Sequence, residues 1–195
     1  MEKVSKIDFT GQHIYVGLDV HKNSWSVSIR TPQLEHKTFT QPPEVEKLTN
    51  YLEKQFPKAT YHTVYEAGFS GFWLHDRLKE KGFDCMVVNP ADVPTKDKER
   101  TGKTDRIDCR KLARGLCNGE LKGIYVPSRN QVEDRSLVRT RQSMVRKQTR
   151  CKNQITSILY FYGIAIPEET RSTKQFLNWI ESIQMERASG DFTLK

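Results

Sequence analysis

The chain has 195 residues, enough for one domain with an appendage, and a formal net charge of +8 with a sequence pI of about 9.3. Its four cysteines are scattered without a C-x-x-C pair, the N-terminus has no apolar signal core, and no segment is apolar enough to span a bilayer. These features suggest neither a disulfide framework nor a cysteine-rich zinc site, and they predict no membrane-spanning segment. We expect a cytoplasmic protein with a polyanionic partner.

The positive charge is concentrated in the second half of the sequence. Residues 96–152 contain 17 basic and 7 acidic residues, whereas the rest of the chain contains 15 basic and 17 acidic residues. A basic segment of this kind favours binding to nucleic acid, although a net charge alone does not prove it.

The first 127 residues have the pattern of an α/β domain. Apolar and alternating runs predict strands at residues 13–19, 24–30, 35–40, 60–67 and 84–89. Helical spacing predicts helices at residues 44–56, 72–81 and 105–118, and a charged loop at residues 92–104 precedes the last of them. This order is compatible with a ribonuclease-H-like mixed sheet with flanking helices.

A long basic helix is predicted for residues 128–163. Residues 130–162 contain no Pro or Gly, and apolar residues recur in sevens at Leu137, Met144, Cys151 and Ile158. Arg141 and Gln148 interrupt this edge, so a coiled coil through it would be imperfect. We expect the 130–162 helix to join copies of the chain into a homo-oligomer.

The same helix has a strongly basic face. Seven basic residues and no acid lie between Arg135 and Lys152, and they would repel each other unless a polyanion or an acidic partner neutralised them. The alternative is an ordinary solvated helix face. The nucleic-acid interpretation assigns binding to Arg135, Arg139, Arg146, Lys147 and Arg150.

Residues 164–195 are predicted to begin a C-terminal region that is cut short in this chain. Within them, residues 174–187 have the pattern of a short amphipathic helix whose apolar face has no obvious partner in the chain.

Four carboxylates are the candidate catalytic residues. Asp19 and Glu66 end two apolar, strand-like runs, and Asp105 and Asp108 are three residues apart, which places them on one helix face. Enzymes that cut or join phosphodiesters often hold two hard divalent cations between carboxylates from several elements. Each acid also has an ordinary explanation. Asp19 could cap a turn, and Glu66 could pair with a nearby lysine or precede a helix N-terminus. Asp105 and Asp108 could complement a helix dipole behind Thr104.

Other polar and aromatic residues surround these acids in the sequence. Five basic residues would supply positive charge for a phosphate backbone: Lys103, Arg106, Arg110, Lys111 and Arg114. His21 could assist, but a single histidine of this kind is more often an ordinary surface residue. The aromatic residues Phe69, Phe72 and Trp73 are expected to pack in the core or the turn rather than to stack on bases.

The strings GLDVHK, YEAG and KTDRIDCRKLA, in this order and at these separations, resemble the N-terminal domain of DEDD transposases of the insertion-sequence-110 type. The resemblance covers about residues 13–165 and implies a RuvC-like domain whose magnesium-binding tetrad is Asp19, Glu66, Asp105 and Asp108, with Mn²⁺ able to replace Mg²⁺. It also implies DNA recombination during insertion-sequence movement, directed by a structured guide RNA. Family members continue into a C-terminal domain with a nucleophilic serine, and we expect this chain to stop where that domain begins.

Two other functions are compatible with the same residues. One is a Holliday-junction resolvase, a nuclease that would act without a further domain. The other is a non-catalytic module for nucleic-acid binding and dimerisation.

Overall fold

The structure, a computed structural model, describes residues 8–94, 104–168, 173–185 and 192–193. The chain divides into two compact units, residues 1–126 and residues 127–195. Within the described ranges, no helix combines the length and the apolar character that crossing a membrane requires.

The first unit is built on a five-stranded mixed sheet. Its strands are β1 (His13–Val20), β2 (Trp25–Arg30), β3 (Glu35–Gln41), β4 (Thr60–Glu66) and β5 (Asp84–Val88). They lie in the order β3-β2-β1-β4-β5, with β1, β2 and β3 antiparallel and with β4 parallel to both β1 and β5. The sheet agrees with the ribonuclease-H-like architecture expected from the sequence.

One face of this sheet carries the main hydrophobic core. Ile14, Val16 and Leu18 of β1 are fully buried in it. They share the core with apolar residues of helices α1 (Val45–Gln55) and α2 (Trp73–Glu80), among them Leu52 and Leu78. Burying an aliphatic side chain of this size stabilises the fold by about 1.5–3 kcal/mol. The alternate apolar residues of β1 therefore face this core.

The other face is covered by helix α3 (Asp105–Cys117). Leu112 of α3 is buried with Val64 of β4, Val88 of β5 and Val93, which together form a second apolar cluster. Between β5 and α3, Pro90–Asp92 forms a short 3-10 helix whose first turn is capped by the side chain of Asn89. Most of the predicted 92–104 loop, residues 95–103, lies outside the described residues.

The second unit begins with helix α4 (Arg129–Phe161), which is 33 residues long. Ser128 and Gln131 form a capping box at its start, in which each side chain accepts a hydrogen bond from the other residue's backbone N–H. The helix ends one residue before Tyr162, and Gly163 follows with a positive φ of 70°. A long helix was expected here from the absence of Pro and Gly.

The predicted helix at residues 174–187 is correct in kind but wrong at its C-terminal end. Helix α5 spans Thr173–Ser182, and β6 (Gln184–Met185) then pairs antiparallel with β7 (Phe192–Thr193). The backbone of residues 184–185 is therefore paired with residues 192–193. The spacing of apolar residues within 174–187 does not reveal such a pairing. The expectation of an apolar face without a partner is also wrong in part, because Phe176 is buried and lines a pocket with Thr156 and Pro167.

Candidate metal centre

Strand β1 and helix α3 bring Asp19 and Asp105 close together. Gly17 of β1 lies directly beneath the backbone of α3. Side chains alternate between the two faces along a strand, so Asp19, two residues after Gly17, lies on the face that α3 covers. Glu66 follows Val64 by two residues, and Val64 packs against Leu112 of the same helix. Asp19 and Glu66 therefore share the α3 face of the sheet.

The strand register makes Asp19 and Glu66 neighbours. Strands β1 and β4 run parallel, and Leu18 pairs with Tyr65 at the end of the ladder. The next residue on each strand is one of the two acids, and both are half-buried. Asp19 and Glu66 thus lie at the C-terminal ends of adjacent parallel strands. Ligand sites of α/β proteins usually form at these ends.

The first turn of α3 supplies the other two acids. Thr104 occupies the N-cap position, and its carbonyl oxygen accepts hydrogen bonds from the backbone N–H groups of Ile107 and Asp108 at 2.8 and 3.1 Å. Asp105 and Asp108 both lie in this turn, where the helix dipole favours negative charge. The dipole explains why two acids are tolerated here, but not why the turn that carries them lies at the end of β1.

His21 lies between two of the carboxylates. Its Nε2 atom is 3.2 Å from Oδ2 of Asp19 and 3.6 Å from Oδ1 of Asp105. The three residues each offer one ligand atom, and all three atoms lie within 4.8 Å of one another. Among the described residues, this is the group of acidic, histidine or cysteine ligands that is close enough to hold a metal ion, and Glu66 and Asp108 are outside it.

The electrostatics of the site favour a cation. Partial burial raises the pKa of Asp19, and the negative charges of Asp105 and Asp108 raise it further, while His21 acts in the opposite direction. A bound cation would relieve both the desolvation and the repulsion. Carboxylate oxygens are the ligands that Mg²⁺ and Mn²⁺ prefer, so the donor set fits a hard divalent ion.

Asp108 already has a cationic partner. Its Oδ1 atom lies 3.4 Å from Nζ of Lys111, one helical turn further along α3, and both side chains are largely shielded from solvent. Lys111 was expected to be one of the positive charges facing a phosphate backbone. It is instead buried beside the acids.

Three other basic residues near the acids were expected to contact a phosphate backbone: Lys103, Arg106 and Arg110. Arg106 is exposed at the start of α3. The Nε atom of Arg110 is 2.7 Å from Oε1 of Glu35 and donates a hydrogen bond to Oγ1 of Thr38 at 3.0 Å, so this side chain is tied to β3. Lys103 lies outside the described residues.

The predicted nucleic-acid-binding residues of the second unit lie together on α4. Four basic side chains line one shallow surface on this helix: Arg139, Arg146, Lys147 and Arg150. These four residues and Arg135 are exposed. The described part of α4 between residues 133 and 151 is exposed on every side, which is unusual for a helix with an apolar edge.

For His21 the sequence left two possibilities, a residue that assists the acids and an ordinary surface histidine. Its side chain is exposed and also contacts Asp19, because the backbone N–H of His21 donates to the carbonyl oxygen of Ser24 in the turn after β1. The available signal was the D-x-H spacing at the end of a buried strand. Phe69 was expected to pack, but it is 71% exposed. Trp73 both contacts the buried Trp25 ring, at 6.0 Å between centroids, and remains partly exposed.

Comparison with known proteins agrees with this geometry. The sequence model of the DEDD transposase family of the insertion-sequence-110 type matches residues 16–164, which include all four acids and α4. The curated protein "Putative transposase y4qE" of Sinorhizobium fredii (strain NBRC 101917 / NGR234) is 31% identical over 131 residues, covering 67% of this chain and 33% of that protein.

Two further relatives support the same assignment. "Putative transposase y4rJ" of the same strain is 27% identical over 169 residues, covering 78% of this chain and 43% of that protein. The "Transposase for insertion sequence element IS1533" of Leptospira borgpetersenii is 29% identical over 110 residues, covering 52% of this chain and 30% of that protein. The chain thus spans between 30% and 43% of these relatives' lengths. The predicted resemblance and the RuvC-like fold class are confirmed, and the chain belongs to the insertion-sequence-110 family of DEDD transposases.

Proposed function

We propose that this chain provides the acidic phosphoryl-transfer site of a DNA transposase, in which Asp19, Glu66, Asp105 and Asp108 hold one or two Mg²⁺ ions. Mn²⁺ would substitute for Mg²⁺. The observation that carries this proposal is the convergence of Asp19, His21 and Asp105, from two separate elements, within 4.8 Å. The family match supports it, because the matched region contains the whole tetrad.

The residues of the site have separable roles in this proposal. Asp19 and Glu66 are held by the ends of adjacent strands, whereas Asp105 and Asp108 are held by the first turn of α3. His21 orients the Asp19 carboxylate through the 3.2 Å contact. A bound divalent ion would polarise the scissile phosphate and stabilise the charge on the attacking and leaving oxygens. Arg106, which is exposed at the start of α3, is assigned to contact the DNA backbone beside the acids, and Lys103 and Arg110 are assigned to the same task.

The basic face of α4 is the proposed surface for the guide RNA or the DNA. The exposed cations Arg139, Arg146, Lys147 and Arg150 are within reach of one another along one side of the helix. Their mutual repulsion has no acid on residues 135–152 to offset it. Neutralisation by phosphates, with release of counterions, is the expected source of binding energy.

The apolar edge of α4 is the proposed contact between copies of the chain. Leu137, Met144 and Ile158 are spaced at multiples of seven residues and all are largely exposed. Exposed apolar residues at coiled-coil spacing are stabilised when a second helix covers them. A homo-oligomer through this edge would leave the basic side chains free for nucleic acid.

Metal-dependent DNA recombination is the direct test of the proposal. The protein tested would be this chain continued by the C-terminal domain that the family resemblance implies, with Mg²⁺ or Mn²⁺, and the same reactions would be repeated with Asp19→Asn and Asp105→Asn. Asp134→Asn on α4 is the matched control, because this acid is exposed and lies in the other unit. The proposal predicts recombination that needs the metal and both site acids but not Asp134, and unimpaired recombination by Asp19→Asn would contradict it.

Other outcomes would point to the alternative functions. Symmetric cleavage of the four-way junction by this chain alone would favour a junction resolvase. Metal-independent RNA binding without cleavage, under conditions in which the relatives' full-length proteins are active, would favour a non-catalytic binding module.

A further inference from the structure

Lys111 is the one charged residue among the buried residues of the part of the chain that the structure describes. Only 9% of its surface is exposed, in a helix that lies against the sheet. Lysine is almost never buried to this extent without a partner, because removing an ammonium group from water costs several kcal/mol unless a nearby negative charge offsets it. Its position therefore requires an explanation from its surroundings.

The helix itself does not provide that explanation. Lys111 is in the second turn of α3, far from the C-terminal end at which the helix dipole would stabilise a cation. An ordinary i, i+3 ion pair on a helix surface contributes only a few tenths of a kcal/mol. Such a weak pair would not hold a lysine in a buried position.

The acids of the candidate site explain why Lys111 is buried. The Lys111 Nζ atom is 3.4 Å from Oδ1 of Asp108, and these two side chains are only 10% and 18% exposed. Asp108 lies in the same helical turn as Asp105, and His21 Nε2 lies 3.6 Å from Asp105 Oδ1 and 3.2 Å from Asp19 Oδ2. Lys111 is thus a fixed positive charge at the edge of a group of carboxylates that repel one another.

We propose that Lys111 is a built-in counter-cation of the acidic site, which holds the Asp108 carboxylate when no metal is present and competes with a divalent ion for it. This inference rests on the proposed metal site and adds a positioning residue that regulates how readily the site fills. A site with an internal cation stays assembled without metal. It also binds metal more weakly than its carboxylates alone would allow.

If Lys111 competes with the metal, removing its charge should tighten Mn²⁺ binding. Replacement of Lys111 by a neutral residue removes the positive charge that contacts the Asp108 carboxylate. Mn²⁺ should then bind more tightly, by about tenfold or more at an effective dielectric constant between those of protein and water. A purely structural role of Lys111 would lower thermal stability without tightening metal binding. The two roles are therefore separable by the metal affinity.

The experiment is a titration of the full 195-residue chain with Mn²⁺, followed by electron paramagnetic resonance of the free ion and by calorimetry. Lys111→Met and Lys111→Gln are the two neutral variants, so that one remains if the other fails to fold. Lys111→Arg keeps the charge, and Lys122→Met is the matched control because Lys122 is exposed. Circular dichroism would establish that each variant is folded.

The expected result is a lower Kd for Mn²⁺ in a folded neutral variant, a larger rise in its thermal midpoint on adding Mn²⁺, and values close to wild type for Lys111→Arg and Lys122→Met. An unchanged or higher Kd in the neutral variants would overturn the competition while leaving the metal site intact. Absence of Mn²⁺ binding by the wild-type chain would instead overturn the metal site itself, and the competition with it.

Discussion

Gly17 of β1 and Cys109 of α3 are in direct backbone contact. A Cβ atom built on Gly17 would lie 2.5 Å from the backbone nitrogen of Ala113 and still closer to the carbonyl oxygen of Cys109. The helix can approach the central strand this closely only because residue 17 has no side chain. This approach sets the position of the first turn of α3, and hence of Asp105, above the end of β1.

Substitution of Gly17 by Ala should displace α3 from the sheet. We expect a loss of about 1–3 kcal/mol in the free energy of unfolding, as in other overpacked cores, together with weaker Mn²⁺ binding. Chemical denaturation and a Mn²⁺ titration would measure the two effects. Gly68→Ala is the control, because a Cβ at that position meets nothing closer than 4.0 Å. Equal stability of Gly17→Ala and wild type would contradict the close packing.

The raised pKa of Asp19 predicts a pH dependence of stability in the metal-free chain. The folded chain holds the Asp19 proton to a higher pH than the unfolded chain does, because of burial and the nearby acids. The free energy of unfolding should therefore fall as pH rises from the ordinary aspartate pKa through the raised value. Asp19→Asn should remove this decline and raise the thermal midpoint at neutral pH.

Thermal unfolding in the presence of a chelator, followed across acidic to neutral pH, would check this dependence. Asp134→Asn should leave the decline unchanged, since that side chain is exposed on α4. A decline that persists in Asp19→Asn would show that another group is responsible.

The cysteines should differ strongly in reactivity. Burial raises the pKa of both the Cys85 and the Cys109 thiols to about 12, so very little thiolate forms at neutral pH. Cys151 is exposed on α4. We expect a thiol reagent to modify Cys151 rapidly in the native chain and to reach Cys85 and Cys109 only after denaturation, as measured by mass spectrometry of digested samples. Rapid modification of Cys109 would mean that α3 does not stay packed on the sheet.

The basic face of α4 should control the salt dependence of nucleic-acid binding. Replacing Arg139, Arg146 and Arg150 by Gln should weaken binding to all sequences alike. It should also lower the slope of log K against log salt by up to about 0.9 for each duplex DNA phosphate that the variant no longer neutralises. Fluorescence anisotropy at several salt concentrations would measure the slope. A matched triple change to Gln at exposed lysines of the first unit should have a smaller effect: Lys47, Lys54 and Lys81.

Local sequence patterns were sufficient to predict most of the helices and strands. The apolar run ending at Asp19 and the heptad spacing on α4 each belong to a single element, so their structures are visible in the sequence. The end of α5 was misjudged because β6 is stabilised by pairing with Phe192–Thr193, which is not a local property. Strand register placed Asp19 beside Glu66, and no periodicity alone predicts a register.

The surroundings of the acids could not be predicted for the same reason. The contact between His21 and both Asp19 and Asp105 depends on a turn and on the crossing of α3 over β1. Lys111 has the sequence context of a surface lysine, and only the packing of α3 against the sheet buries it. The exposure of Phe69, in the turn between β4 and α2, is likewise not visible in the local sequence.

The most direct test of the central claim is the anomalous scattering of manganese in crystals of the chain grown or soaked with Mn²⁺. The account predicts one or two anomalous peaks bounded by the carboxylates of Asp19, Glu66, Asp105 and Asp108, and loss of these peaks in Asp19→Asn. A well-ordered structure in which the four carboxylates point apart, with no manganese between them, would contradict it.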